Sequence, residues 1–236
     1  MNKLWPALTI FAAFCLALAS CGGTPPTLSI AGIPWPDDEI TVYTLEDTEG
    51  NTMGSANLTV HKENNTYVLS QHYVVGDQQV VQDISVTVSA DDLKPVSGTQ
   101  SVKTADTTVD ITTIYADSRL SITATVDGKQ QSAQLDVPND TYDNDEALFL
   151  FRTIPFEIGY TASYTNAVPS AGLLPKATIS ILAREEVETP AGTFDSYKLK
   201  LSAQGATIFL WYSAEAPHYL LKYDNSATII RLTEHP

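Results

Sequence analysis

The chain has 236 residues, with 13 Lys and Arg against 28 Asp and Glu, for a formal charge of −15. Nucleic-acid binding depends on basic side chains that neutralise phosphates, and a polybasic membrane-hugging surface needs the same residues, so both classes are excluded. Cys15 and Cys21 are the only cysteines and both fall in the N-terminal leader region, so the domain must stand on its hydrophobic core without disulfides.

The first element is a leader. Lys3 precedes the apolar run "LWPALTIFAAFCLALA", which contains Pro6 and falls short of the roughly 20 apolar residues of a comfortable membrane span. Residues 1–20 therefore read as a secretory signal. Its end, Leu18-Ala19-Ser20-Cys21 followed by Gly22-Gly23, resembles the bacterial lipoprotein signal, in which the thiol is lipidated and the chain is cut just before it. An ordinary secretory signal with a chance cysteine is the alternative. Under the lipoprotein reading Cys21 carries acyl chains, two or more of which hold a protein on a membrane essentially permanently. The protein is then exported and anchored to the cell membrane or outer membrane, with its folded part outside the cytoplasm. Residues 21–36, rich in Gly and Pro, read as a spacer whose Trp35 packs on the domain edge. Residues 37–236 read as a single domain.

Within that domain the dominant period is two. Ala56, Leu58 and Val60 share a face, as do Ile84, Val86 and Val88, and further alternating runs flank Asn64-Asn65, Asp117-Ser118 and Asp127-Gly128. Asp-Gly takes the positive φ angles of a two-residue hairpin turn readily. β-branched residues and tyrosines fill the runs, which suits half-buried pleated surfaces. The expected fold is all-β and mainly antiparallel, with strands joined largely as hairpins.

A short helix is expected in "YDNDEALFLFRTIPFEIG", with Asp143 or Asn144 as N-cap, acidic residues in the first turn and Pro155 ending it. Leu148, Phe151 and Arg152 fall at i, i+3 and i+4, laying Leu148 and Phe151 against the sheet; a buried strand is the alternative. The nearby acids Asp136, Asp140, Asp143, Asp145 and Glu146 lack the sharp-turn glycine of a calcium loop, so loop solvation and capping explain them and no metal is expected. His61, His72, His218 and His235 show no metal spacing, and no serine sits in a G-x-S-x-G elbow. No catalytic residue and no cofactor are expected.

In "VETPAGTFDSYKLKL" Pro190 ends one strand and Gly192 permits the turn into the next. Phe194 falls out of step with Tyr197, Leu199 and Leu201, so a bulge is expected near Asp195 or Ser196. Aromatic residues concentrate in the C-terminal half, among them Phe209, Trp211, Tyr212, Tyr219 and Tyr223. They read as core, or as the wall of an apolar groove for which Leu148, Phe151, Trp211 and Tyr212 are the candidate lining.

Four stretches carry a wider resemblance: "DDLKPVSGTQS", "DNDEALFLFRTIPFEIG", "EEVETPAGTFDSYKLKL" and "IFLWYSAEAPHYLLKYD". Together, from about Ile40 to Leu232, they resemble the bacterial family called domain of unknown function 3108. This chain departs from the pattern at Ala214-Glu215-Ala216, where an Asp-containing turn is more usual. The resemblance implies an all-β fold, a strongly curved antiparallel sheet or half-open β-barrel with one short helix similar to the lipoprotein-carrier architecture, in an exported or lipid-anchored protein, and it brings no catalytic residues. The functional expectation is a non-enzymatic envelope lipoprotein, partnered by the membrane through Cys21, that binds or carries a lipid or other apolar ligand. A structural or protein-interaction module with a filled core is the alternative, and a hydrolase a third.

Overall fold

The computed structural model describes residues 23–76 and 80–236; the signal peptide and Cys21 lie outside the described residues. Among the described residues fifteen strands form one sheet, organised as two meanders. The first contains β1 (Asp38–Glu46), β2 (Thr52–Glu63), β3 (Thr66–Val75), β4 (Val80–Ser89), β5 (Pro95–Lys103), β6 (Thr108–Ala116), β7 (Arg119–Val126) and β8 (Lys129–Asp136). The second contains β9 (Thr141–Asp143), β10 (Thr161–Ala167), β11 (Lys176–Thr189), β12 (Gly192–Ala203), β13 (Ala206–Ser213), β14 (Leu220–Asp224) and β15 (Ile229–Glu234). Each strand pairs with its neighbour in sequence, and β1 pairs antiparallel with β15 to weld the two meanders, leaving β8 and β9 at the two ends. Among the strands of the described residues, the β9–β10 pairing alone is parallel.

Turn chemistry explains the meander. Asp117-Ser118 and Asp127-Gly128 both hold positive φ at successive positions, the twist that suits tight hairpins. Alternation then places Leu58, Leu69, Val86, Ile179, Leu199, Leu210 and Leu232 on the concave inner face, where each is essentially buried. The β11–β12 hairpin turns at Pro190-Ala191, with Gly192 at φ 135°, as its sequence indicates. Its bulge falls elsewhere than expected: pairing is continuous through Asp195 and Ser196, and the register slips between Ile181 and Ala183 on the partner strand. The extra residue is Leu182, which is pushed outward.

The segment 144–153 crosses the concave side as two 3₁₀ turns flanking the α-helix α1 (Ala147–Leu150). Asp143 caps it in a reciprocal capping box with Glu146, and Phe149, Leu150 and Phe151 are buried beneath the sheet. The two sheet ends approach one another there. Ile111, Leu120 and Ile122 of β6 and β7 pack with Ala167 of β10, and the Tyr115 hydroxyl donates to Asp143 Oδ2 at 2.5 Å. The result is a curled, half-open sheet closed by side chains and not by a strand ladder.

The stretch read as a spacer is partly stitched to the domain. Ser163 N–H donates to Pro26 O at 2.8 Å, and Leu28 N–H donates to Ser163 O at 2.9 Å. Leu28 and Trp35 are buried. Proline in an extended segment leaves backbone carbonyls free to accept from a sheet edge, which is how Pro25 and Pro26 are used here.

Candidate functional site

The concave face is packed solid around Tyr43, Phe149, Phe151, Tyr164 and Tyr212, but not throughout. A cavity of about 370 Å³ remains between the helical insert and the sheet. Its floor is apolar: Leu45, Ile84, Ala147, Leu148, Phe151, Leu201, Ile208, Leu210 and Ile230. Its rim is polar and rich in amides, with Gln71, Gln82 and Gln100 from three adjacent strands, Asn144 and Asp145 from the insert, and Asn225. Gln71 is held in place by two neighbours: its Nε2 donates to the carbonyl of Asp145, and its Oε1 accepts from the Tyr73 hydroxyl at 2.6 Å. No lysine, arginine or histidine lines the cavity among the described residues.

The four residues expected to line a groove separate. Leu148, half-buried, and Phe151, fully buried, contribute to the cavity. Tyr212 faces the same side but lies below it, its hydroxyl donating to Leu148 O at 2.9 Å and so pinning the helix to the sheet. Trp211 is on the opposite face, because consecutive strand residues point to opposite sides. There its indole N–H donates to Glu185 Oε1 at 2.7 Å, and its ring lies against the ammonium groups of Lys222 and Lys198 at 4.5 and 4.9 Å. Trp211 is therefore an outer-face residue and not part of the groove.

The signal for the glutamines was present in the strand phase. Gln71 is in step with Tyr67 and Leu69, and Gln82 is in step with Ile84, Val86 and Val88. Polar residues at inward positions mark where a concave face stops being core.

Beside the cavity, the capping acids are in an unusual state. Burial, with Asp145 close by, raises the Asp143 carboxyl from 3.8 to about 7. Burial raises Glu146 well above its ordinary value too, and its Oε2 has no partner. Lys94, whose ammonium lies 3.5 Å from the Tyr142 ring centre and donates to Thr141 O at 3.2 Å, is lowered by burial. Asp140, by contrast, is tied to Lys176 Nζ at 2.5 Å and accepts from the Thr165 hydroxyl at 3.0 Å. The acidic residues thus serve as helix cap and ion pair. Among the described residues no group of three or more metal-ligating side chains converges.

A second concavity of about 500 Å³ lies on the outer face of β2–β6 and is lined by hydroxyl-bearing residues around His72 and Asp83. His72 Nδ1 lies 2.6 Å from Asp83 Oδ1. Of the neighbouring hydroxyls, Ser70 bonds Ser85 at 3.2 Å and Ser101 bonds Asp110 at 2.7 Å, and among the described residues none bonds the other ring nitrogen of His72. A histidine-acid pair without a hydroxyl on the other ring nitrogen lacks the nucleophile arrangement of a triad.

A solved structure with a TM-score above 0.5 shares the architecture. A β-barrel-like protein of the domain of unknown function DUF1849 from Brucella abortus aligns over 86% of this chain and 98% of its own, with a TM-score of 0.59 at 12% identity. A protein from Bacteroides fragilis, provisionally described as exported with a YmcC-like fold, aligns over 88% of this chain and 100% of its own, with a TM-score of 0.38 at 11% identity. One from Parabacteroides distasonis, provisionally described as a lipoprotein, aligns over 89% of this chain and 99% of its own, with a TM-score of 0.34 at 11% identity. No curated protein matches in sequence. The sequence profile of the family described as protein of unknown function (DUF3108) matches residues 39–229, from the second residue of β1 to the first of β15, and the chain belongs to that family.

Proposed function

We propose that this chain is a lipid-anchored, non-enzymatic protein of the cell envelope that holds an amphiphile in the cavity beneath its helical insert. The observation that carries the reading is the cavity itself: an apolar floor under a rim of amides, at a size near the lower end of ligand pockets of roughly 300–1,000 Å³. The chemistry of the lining favours an acyl or other apolar tail below and an uncharged hydrogen-bonding group above, because a phosphate head group would meet Asp145 and no basic side chain. The anchor is supported by Leu18-Ala19-Ser20-Cys21 at the end of the apolar leader. It places the folded domain outside the cytoplasm.

Native mass spectrometry of the domain from Gly22 onward, produced in bacteria, tests the binding. The expected result is a co-purifying mass of amphiphile size, lost when Leu148→Trp fills the cavity from the insert while the protein stays folded. An apo mass for the unaltered domain sinks the carrier reading and favours an interaction module, for which the solid packing around Tyr164 and Tyr212 already provides the frame.

A further inference from the structure

The point where the chain joins the domain lies on the β10 edge. The segment around Thr27 runs parallel to β10, with Pro25 O accepting from the Ser163 hydroxyl at 3.2 Å and Pro26 O accepting from Ser163 N–H at 2.8 Å. Traced back towards Cys21, this segment heads to the end of β10 where Tyr160, Gly159 and Ile158 emerge. From Pro25 to Cys21 there are four residue steps, which span at most roughly 14 Å. A lipid on Cys21 therefore leaves the domain no long leash, and the surface around that end of β10 must lie close to the membrane.

That surface carries exposed apolar side chains. Ile158 is 64% exposed, the most of any large hydrophobic residue among those described, and Leu182 is 44% exposed. They lie close together on the β10–β11 edge: Gly159 N–H donates to Ile181 O at 2.9 Å and Ile181 N–H donates to Tyr160 O at 2.9 Å, which seats the turn carrying Ile158 beside β11 where Leu182 bulges. Leu182 is outside because it is the bulged residue of β11. A bulge re-aims one side chain without disturbing the strand on either side, and here it turns a leucine out beside an isoleucine.

We propose that the face centred on Ile158 and Leu182 rests on the lipid surface to which Cys21 tethers the chain, fixing the orientation of the domain on the membrane. This rests on the anchor assigned under Proposed function. The acyl chains supply the adhesion; the two side chains, entering the head-group region, set which way the domain faces. The net charge of −15 directs the contact to zwitterionic lipid rather than anionic lipid.

The test uses the full chain purified from bacterial membranes, carrying either Ile158→Cys or Ile114→Cys labelled with an environment-sensitive fluorophore. Ile114 is 55% exposed on β6 and serves as the comparison. Each is reconstituted in phosphatidylcholine vesicles with brominated acyl chains. The expected result is loss of emission at position 158 and no change at position 114. Intact mass is measured on the same samples. An acylated protein whose two positions respond alike overturns the docking face and leaves the anchor standing. A protein with no acyl chains overturns the anchor and the docking face together.

Discussion

Glu39 and Arg152 form the charge pair on which the concave face is organised. Arg152 Nη1 and Nη2 donate to the two oxygens of Glu39 at 2.6 and 2.9 Å, and Nε and Nη2 also donate to Pro217 O at 3.0 and 2.9 Å. Both side chains are buried, 4% and 2% exposed, and the guanidinium lies 5.2 Å from the Trp35 ring centre and 5.5 Å from that of Tyr219. Such a pair roughly offsets its own desolvation, but removing one partner strands a charge in the interior at a cost of about 3–5 kcal/mol. Glu39→Ala and Arg152→Ala are each expected to destabilise by about that amount in chemical denaturation. Glu39→Leu combined with Arg152→Met, which removes both charges and keeps the volume, is expected to cost less than either single change. If the double variant is as unstable as the worse of the two singles, the pair contributes net stability beyond what hydrophobic replacement supplies. The sequence announced this pair only in part. Ile40 and Val42 suggest that their face of β1 is the buried one, yet Ile40 is 52% exposed and Glu39, Thr41 and Tyr43 point inward. A glutamate in phase with Tyr43 and Leu45 was the available signal, but its partner lies 113 residues away and only the fold reveals it.

At the scale of the element, the helical insert was legible because its signals are local. The Asp143 cap, the acidic first turn and Pro155 lie within a dozen residues, and the expected burial of Leu148 and Phe151 follows from their spacing. The charge state of the cap was not legible, because it is set first by burial, which follows from the curl of the sheet; Asp145 adds to the rise, and the hydrogen bond from Tyr115 of β6 offsets part of it. Its consequence is a pH dependence with a definite sign. Asp143 titrates at 3.8 when unperturbed and at about 7 in the fold, so the folded state holds a proton that the unfolded state has lost across that interval. Stability from this group is full below pH 4 and is lost as pH rises through 7. Glu146 acts in the same direction. Asp140, Glu185 and Asp195 have lowered values and act oppositely, but they are already ionised above pH 5. The melting temperature is therefore expected to be higher at pH 5 than at pH 8. Asp143→Asn, which can still accept from Asp145 N–H, should flatten part of that difference. A melting temperature that rises from pH 5 to pH 8 would contradict the assignment.

At the scale of the molecule, strand content and hairpin order were readable because a meander pairs each strand with the next and turn chemistry marks the joints, whereas the curvature came from the family resemblance. What could not be read was the weld between β1 and β15, which joins residues nearly the whole chain apart and carries no local mark. The weld consists of five partner positions interrupted by a register shift between Val42 and Tyr43, and Arg231 Nε donates to Glu46 Oε2 across it at 2.9 Å. Leu232 sits within it opposite Tyr43, fully buried, whereas Leu135 on β8 is half-buried at the end of the sheet. Because the two meanders share one core through this weld and through the insert, neither can release its inner face alone without exposing the other. Leu232→Ala is expected to cost about 2–5 kcal/mol, as a large-to-small change in a filled core does. Leu135→Ala should cost well under half of that. Calorimetry of the Leu232→Ala protein should show a single transition moved to lower temperature. Two separated transitions would mean that β1–β8 and β9–β15 are independent folding units, and that the cavity between them is an interface rather than the interior of one body.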